Sequence, residues 1–153
     1  INNNSCINII IIKSLIKIKK IYFILMDKKW YENLKKSKLT PPNWVFGTVW
    51  PILYTTLAVS FYLIKKEEKC NEWCQPLNFF SLQMFFNLIW TWLFFKQKKI
   101  KLALLDLSLV ITFTILTMIK FFKLNKYATY ILIPYILWLS LAFYLNLYIV
   151  LNN

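Results

Sequence analysis

Residues 102–122 read LALLDLSLVITFTILTMIKFF, a block of apolar and hydroxyl side chains whose charged residues are Asp106 and Lys120. A helix of about 20 residues crosses the roughly 30 Å of hydrocarbon in a bilayer, so this block predicts a membrane-spanning helix. Similar blocks cover residues 44–64, 77–95 and 128–151. They are continuously apolar rather than alternating, which argues against a β-barrel. The sequence therefore predicts at least four transmembrane helices.

The composition and charge of the chain also indicate a membrane protein. Hydrophobic residues make up 59% of the 153 residues and charged residues 16%, whereas a soluble domain carries about 25% charged residues. The net charge of +13 would suggest nucleic acid as a partner in a soluble chain. Here the lysines lie between the apolar blocks, as they do in loops that flank spans. We expect an all-α bundle with the lipid bilayer as partner, and no nucleic acid.

The N-terminal segment, residues 1–26, is the irregular part of this bundle. Residues 7–26 are apolar over about one span, but lysines interrupt them, and each would cost roughly 2.5 to 3.5 kcal/mol at the membrane centre. Three interpretations stay open: a degraded or partly interfacial first helix, a basic targeting segment, or sequence upstream of a true start at Met26. We therefore separate this segment from a membrane domain over residues 27–153.

The lysines also predict an orientation. Residues 28–38 and 96–101 are basic and poor in acids, whereas residues 65–76 mix both signs. Short links make consecutive spans antiparallel, which places the two basic segments at the same end. The positive-inside rule puts that end, with residues 30–42, on the cytoplasmic side.

Several kinds of chemistry are excluded by composition. The chain has no His, which removes a Ser-His-Asp triad and imidazole metal sites. Its one Gly, Gly47, excludes glycine-rich phosphate loops. Cys70 and Cys74 lack a second pair for a zinc site, and we interpret them as loop thiols. We predict no catalytic residue, no metal site and no resident cofactor.

The first span has one aromatic face. Thr40 and Pro41 suit the N-cap and first turn of its helix. Phe46, Trp50 and Tyr54 follow at four-residue spacing, which places them on the same face. These aromatics either pack within the bundle or line a site.

The second span carries two amides on its inner face. Steps of three or four residues produce one stripe, formed by Leu77, Phe80, Gln83, Asn87, Trp90 and Phe94. Amides are costly in hydrocarbon without partners, so Gln83 and Asn87 should face the bundle interior. They serve either as hydrogen-bonding links between helices or as ligand contacts, and Trp90 beside them favours a lined cavity.

The third and fourth spans add further candidates. Asp106 is either a functional intramembrane acid or an interface carboxylate that reaches toward the lysines of residues 96–101. On the last span, one face carries Tyr135, Trp138, Ala142, Leu145 and Asn146. The small side chain of Ala142 leaves room either for a neighbouring helix or for a flat ligand.

Together these motifs resemble the translocator protein family, also called TspO/MBR, tryptophan-rich sensory proteins or peripheral-type benzodiazepine receptors. The resemblance runs from Trp30 to the C-terminus. It rests on Trp30-Tyr31-Glu32-Asn33-Leu34, Pro41-Pro42-Asn43-Trp44-Val45-Phe46-Gly47, Val49-Trp50-x-x-Leu53-Tyr54, Gln83-x-x-x-Asn87-x-x-Trp90 with Phe94-Phe95, and Pro134-Tyr135-x-x-Trp138-x-x-x-Ala142-x-x-Leu145-Asn146.

The resemblance implies a bundle of five transmembrane helices, often dimeric, with a pocket open to one side for porphyrins, sterols or drug-like molecules. The four blocks would be family helices two to five, in a bacterial cell membrane or a mitochondrial outer membrane. By motif position, and with Gln83 added for its place on the inner stripe, the expected ligand-binding residues are Phe46, Gly47, Val49, Trp50, Gln83, Asn87, Trp90, Leu105, Leu109, Trp138, Ala142 and Leu145.

Two departures from the family pattern matter. The family's first helix should precede Trp30, where the lysine-broken segment lies. The sterol motif of animal members needs a basic residue after its Tyr, but Tyr148 is followed by Ile-Val-Leu-Asn-Asn. Cholesterol is therefore a weak candidate for the ligand.

We therefore expect a receptor, sensor or carrier that binds tetrapyrroles, with a homodimer implied by the resemblance. One alternative is light- and oxygen-dependent porphyrin breakdown in the same pocket, an activity proposed for bacterial members. The other alternative is a structural membrane subunit without a ligand.

Overall fold

The computed structural model describes residues 28–67 and 75–153. About 85% of these residues are helical, and no strand occurs among them. The helices are α1 (Lys28–Asn33), α2 (Asn43–Lys65), α3 (Gln75–Thr91), α4 (Ile100–Leu124), α5 (Lys126–Tyr130) and α6 (Ile133–Asn152). The all-α prediction is confirmed. The segment 1–26 and the thiols of Cys70 and Cys74 lie outside the described residues.

Four stretches are long and apolar enough to cross a membrane: Asn43–Lys65, Gln75–Lys96, Ile100–Leu124 and Lys126–Asn152. They coincide with the four blocks predicted from sequence. No more than 33% of the most apolar window of each stretch is buried within the protein. Most of the remaining apolar side chains therefore face outward, and a bilayer is the environment that such a surface requires.

The helix α2 begins later than the sequence predicted. Its N-cap is Pro42, with φ −58° and ψ 150°, and no side chain caps it. Thr40 is therefore not the N-cap. A residue that precedes a proline is pushed out of the helical region, so Pro41, which precedes Pro42, cannot form the first turn. From Asn43 the helix runs continuously through Pro51 to Lys65.

The helix α3 changes its winding before it ends. Directly after Thr91, the residues Trp92–Lys96 continue α3 as a π-helical turn. Lys98 then adopts a left-handed backbone with φ 55°, and the amide of Lys99 donates to the carbonyl of Leu93 over 3.1 Å. This is the bond that closes a helix with a left-handed C-terminal residue. It lets the chain reverse into α4 through a short link.

The last span is made of two helices rather than one. Pro134 has no N–H, so the carbonyl of Tyr130 has no helical donor four residues later, and α5 ends at that residue. Asn125 caps α5 by accepting from the amide of Ala128 over 3.2 Å. Ser60 of α2 donates to the carbonyl of Ala128 over 2.7 Å, which ties α5 to α2.

The bundle is closed by neighbouring pairs of helices. The helix α3 packs along α4, α4 packs against α6, and α2 contacts α5 and α6. The inner stripe predicted for α3 is confirmed, because all six of its side chains are buried. The buried side chains of α4 are Ala103, Asp106, Leu107, Val110, Thr114, Thr117 and Phe121.

The two basic segments lie at the same end of the bundle, as predicted. At that end, the Nζ atom of Lys98 lies 5.7 Å from the ring centroid of Trp30. The amide of Lys35 donates to Oδ1 of Asn153 over 3.0 Å, and Nδ2 of Asn153 donates to the carbonyl of Lys35 over 3.2 Å. Residues 28–42 thus extend across this end from α3 to the last turn of α6. The cytoplasmic orientation of this end stays a prediction.

Candidate ligand-binding site

The inner aromatic faces of three spans meet at one level of the bundle. The rings of Phe46 on α2 and Trp138 on α6 make an edge contact with centroids 5.6 Å apart. Trp50 lies between Tyr54, at 5.7 Å, and Trp90 on α3, at 6.3 Å. The four-residue spacing on α2 therefore does place its aromatics toward the other spans.

The aromatic cluster continues toward the basic end. Trp90 stacks on Phe94 at 5.4 Å and meets Phe95 edge-on at 6.0 Å. Tyr31 of α1 packs on the same two phenylalanines at 6.3 and 6.1 Å. Although α1 has only six residues, it buries this side chain to 5% exposure. Burial raises the pKa of the Tyr31 hydroxyl. The group is therefore neutral and retains its proton at ordinary pH.

A small cavity lies where these elements meet. Its volume is about 30 Å³, and its walls come from α1, α2, the end of α3 and α6, with the lining residues Tyr31, Phe46, Trp90, Phe94, Phe95, Ala142, Leu145, Asn146 and Ile149. This is room for about one water molecule. Pockets for drug-sized ligands measure roughly 300 to 1,000 Å³. Binding of a larger molecule would require the lining side chains to move apart.

Some buried polar atoms at and beside this site have no hydrogen-bond partner. Within the part of the chain that the structure describes, the indole Nε1 atoms of Trp90 and Trp138 are buried without a hydrogen-bond partner. The same holds for both polar side-chain atoms of Asn146. Buried polar groups are nearly always hydrogen-bonded, so such exceptions require an explanation. Trp90 and Asn146 line the cavity, so their polar atoms are available to a molecule bound there. Trp138 lies beside the cavity through its ring contact with Phe46.

Asn87 is instead satisfied by other spans. The hydroxyl of Tyr54 donates to Oδ1 of Asn87 over 2.6 Å, and Nδ2 of Asn87 donates to the hydroxyl of Tyr135 over 3.1 Å. Gln83, one turn away, accepts from the hydroxyl of Thr114 on α4 over 2.6 Å. Of the alternatives left open by the sequence, these bonds support links between helices. A direct role of the two amides in ligand contact stays a prediction.

Comparison with known proteins identifies the family. A family model described as TspO/MBR matches residues 7–151. The chain belongs to the TspO/MBR family. The tryptophan-rich sensory protein of Cereibacter sphaeroides is 33% identical over 123 residues, which cover 80% of this chain and 76% of that protein. The translocator protein of Homo sapiens is also 33% identical over 123 residues, covering 77% of this chain and 71% of its own length.

A third relative extends the comparison to another bacterium. The tryptophan-rich protein TspO of Bacillus cereus is 34% identical over 124 residues, which cover 79% of this chain and 78% of that protein. The resemblance inferred from sequence motifs is confirmed. The chain is thus a multi-pass membrane protein of the TspO/MBR family.

The structure brings half of the expected TspO/MBR ligand residues together. Four of the cavity-lining residues were expected from the sequence: Phe46, Trp90, Ala142 and Leu145. Trp50 and Trp138 are next to them through the ring contacts above. Gly47 and Val49 are partly buried on α2 without lining the cavity, while Gln83 and Asn87 lie deeper in the core.

Two of the expected residues are not brought to the cavity. Leu105 and Leu109 of α4 are 65% and 44% exposed and lie outside its lining. The inner face of α4 is set by Ala103, Leu107 and Val110, which are at most 1% exposed. At 100° per residue, Leu105 and Leu109 are rotated away from that face toward the lipid. A role of Leu105 and Leu109 in ligand contact stays a prediction.

The sequence prediction missed five lining residues. Phe94 and Asn146 already lay on the predicted inner faces of their helices, and Phe95 followed Phe94 in the family motif. Ile149 is one turn beyond Asn146 on the same face, so extending the periodicity would have found it. Tyr31 was part of a family motif, but no periodic pattern shows that α1 folds back onto α3. Its contribution is purely tertiary.

Asp106 lies within the bundle rather than at its surface. Its side chain is 6% exposed, and Oδ2 has no hydrogen-bond partner in the described residues. It does not line the cavity. The predicted alternative in which its carboxylate reaches out toward the lysines of residues 96–101 does not agree with this burial.

Proposed function

We propose that this TspO/MBR protein binds a flat hydrophobic ligand of the tetrapyrrole class and acts as its receptor, sensor or carrier. One observation carries the proposal: aromatic rings from α1, α2 and the end of α3 line a cavity at which the indole N–H of Trp90 and the amide of Asn146 have no hydrogen-bond partner in the described structure. Apolar walls with a few convergent polar groups are typical of small-molecule sites.

The aromatic cluster suits a planar ligand for a physical reason. Indole and phenyl rings bind flat conjugated molecules by offset stacking and edge contacts, with rings about 4.5 to 7 Å apart. Trp50, Trp90 and Trp138 would provide these surfaces, and Ala142 would provide clearance on α6. Because the cavity measures about 30 Å³, a macrocycle would enter only if Tyr31 and its aromatic neighbours separate. Residues 28–42 are therefore the part that would move.

The names of the relatives support the same class of function. One is called a sensory protein and another a translocator protein. The first name describes sensing and the second translocation, and we extend these two roles to the present chain as part of the proposal.

Titration of the detergent-purified protein with protoporphyrin, followed by tryptophan fluorescence, tests the proposal. We expect saturable quenching that weakens at least about tenfold in a Trp138→Ala, Ala142→Phe double variant, a loss of about 1.4 kcal/mol. The matched control changes the exposed residues Trp92 and Ala58 in the same way. Equal affinity in the double variant and the wild type would contradict the assigned site.

A ligand-free structural subunit predicts a different result. Any ligand that binds the folded state raises its thermal stability. If neither protoporphyrin nor an isoquinoline ligand raises the melting temperature, the structural role would replace the binding proposal.

A second candidate function is light- and oxygen-dependent breakdown of the bound porphyrin. The rings of Trp50 and Trp90 lie 6.3 Å apart with an interplanar angle of 34°, an arrangement that supports them as redox partners of an excited ligand. Illumination in air should then yield a distinct product that disappears when Trp50 and Trp90 are replaced by Phe. The same product without those tryptophans would indicate ordinary photobleaching.

A further inference from the structure

Asn146 carries a buried amide that forms no hydrogen bond with the described part of the bundle. Its side chain is 2% exposed and lines the cavity. Neither Oδ1 nor Nδ2 has a hydrogen-bond partner in the described structure. By contrast, the equally buried amide of Asn87 bonds Tyr54 and Tyr135. Burial of an unpaired carboxamide costs stability, so Asn146 weakens the empty bundle where an apolar residue of similar size would strengthen it.

The surroundings of Asn146 are mostly apolar. Most of the other side chains that line the cavity are apolar, among them Phe94, Phe95 and Ile149. The indole N–H of Trp90 is a second donor at the same cavity without a partner in the described residues. Two donors and one acceptor therefore meet an otherwise apolar space. The hydrocarbon edge of a tetrapyrrole would fill that space but would offer no partner to the amide oxygen or to either donor.

We propose that Asn146, assisted by Trp90, binds a carboxyl group of the ligand and so selects carboxylated tetrapyrroles over those with alkyl substituents alone. This inference rests on the proposed function. A carboxyl oxygen accepts from Nδ2 of Asn146 or from the indole N–H, and a protonated carboxyl also donates to Oδ1. The carboxyl group thus supplies the donor and acceptor that the amide lacks. A ligand without a carboxyl group leaves the amide unpaired, as it is in the empty bundle, and gains no binding energy from it.

The position of the amide fits a carboxyl group near the membrane surface. Asn146 lies six residues before the end of α6 at Asn152, which is about 9 Å at 1.5 Å per residue. That end carries the basic segments. The Nζ atom of Lys36 lies 4.5 Å from the ring centroid of Tyr31, whose side chain lines the same cavity. A ligand that points its acidic edge this way would keep its apolar edge in the bundle.

The inference is tested by a cycle of two ligands and two proteins. Protoporphyrin carries two carboxyl groups, and etioporphyrin has the same macrocycle with alkyl groups only. We expect the wild type to prefer protoporphyrin by at least about tenfold, and Asn146→Leu to lose most of this preference while its affinity for etioporphyrin stays unchanged. The melting temperature of ligand-free Asn146→Leu should equal or exceed that of the wild type, since the variant removes an unpaired amide.

Two further variants keep the test decisive. Asn152→Leu makes the same change at an exposed position of α6 and should leave the preference intact. Asn146→Asp nearly preserves size but, when ionised, has no donor and repels a ligand carboxylate, so it should weaken protoporphyrin binding as the pH rises and spare etioporphyrin.

The remaining outcomes overturn the inference in distinct ways. An unchanged preference in Asn146→Leu would show that a trapped water alone satisfies the amide. Equal weakening of both ligands would show that Asn146 only shapes the cavity. If the wild type binds both porphyrins equally, the proposed function survives and the carboxyl selection fails. If the wild type binds neither, both fail.

Discussion

The hydroxyl of Tyr54 on α2 donates a 2.6 Å hydrogen bond to Oδ1 of Asn87 on α3, deep between the spans. The same amide reaches α6 by donating to the hydroxyl of Tyr135 over 3.1 Å. One side chain thus joins three spans that are far apart in sequence. Hydrocarbon offers no other partner to these groups, so the bonds specify how the three helices rotate against each other.

Replacement of Asn87 should therefore destabilise the bundle. In Asn87→Leu the hydroxyls of Tyr54 and Tyr135 would be left without this partner, and we expect the free energy of unfolding to fall by about 1 to 3 kcal/mol. Tyr54→Phe removes one bond together with its donor and should cost about 0.6 kcal/mol, at most about 1.7. Denaturation of the purified protein in mixed micelles measures both values. Asn78→Leu, at an exposed position of α3, is the control. Equal stability of Asn87→Leu and the control would contradict the structural role.

Leucine truncations on α4 and α6 should separate the lipid face from the ligand site. Leu145 is 7% exposed and lines the cavity. Leu145→Ala removes apolar contact area from the cavity wall and should therefore weaken protoporphyrin binding several-fold. Leu105→Ala and Leu109→Ala remove lipid-facing side chains and should leave the affinity unchanged. Fluorescence titration of the three variants under the same conditions compares them. A loss of affinity in the α4 variants as large as in Leu145→Ala would show that this face of α4 contributes to the ligand site.

Tyr31 should make the protein less stable in alkaline solution. Burial raises its pKa in the folded state above 10.0, its value in the unfolded chain. The unfolded chain then loses this proton first, so stability is present below pH 10.0 and declines as the pH rises through that value. Tyr31→Phe removes this contribution. Between neutral pH and a pH just above 10.0, the melting temperature should fall less in the variant than in the wild type. An identical fall would show that the Tyr31 hydroxyl titrates alike in both states.

Asn153 should restrain the segment that covers the cavity. Its side chain accepts from the amide of Lys35 and donates to the carbonyl of Lys35, while the hydroxyls of Ser37 and Tyr144 lie 3.2 Å apart. Asn153→Ala should speed hydrogen exchange in peptides that cover residues 34–40 and leave α3 and α4 unchanged. Global stability should change by less than about 1 kcal/mol, because these bonds are exposed to water. Unaltered exchange at Lys35 would show that other contacts hold the segment.

The spans and their inner faces could be predicted from the sequence because both follow from local rules. Residue hydrophobicity over about 20 positions predicted the four spans. Steps of three and four placed Gln83, Asn87 and Trp90 on one stripe of α3, and all three are buried there. The start of α2 differs from the prediction because Pro42 restricts the backbone of Pro41, whereas the N-cap preference of Thr40 does not depend on this restriction.

The partners of those faces could not be predicted in the same way. Asn87 and Asn146 look alike in sequence, each an amide on an aromatic helix face. Only the packing of the spans gives the first one two tyrosine hydroxyls and leaves the second at a cavity without a partner in the described residues. Likewise, no periodic pattern predicted that Tyr31 would be buried. It reaches the site because α1 folds over the end of α3.

The sequence by itself thus determined that this is a helical membrane protein of the TspO/MBR family, because hydrophobicity, periodicity and motif order act along the chain. The tertiary structure decided which members of those motifs share a cavity, that Leu105 and Leu109 face away from it, and that Asn146 is available to a ligand. These features depend on the rotation of each helix against its neighbours. That rotation is set by contacts between residues distant in the chain.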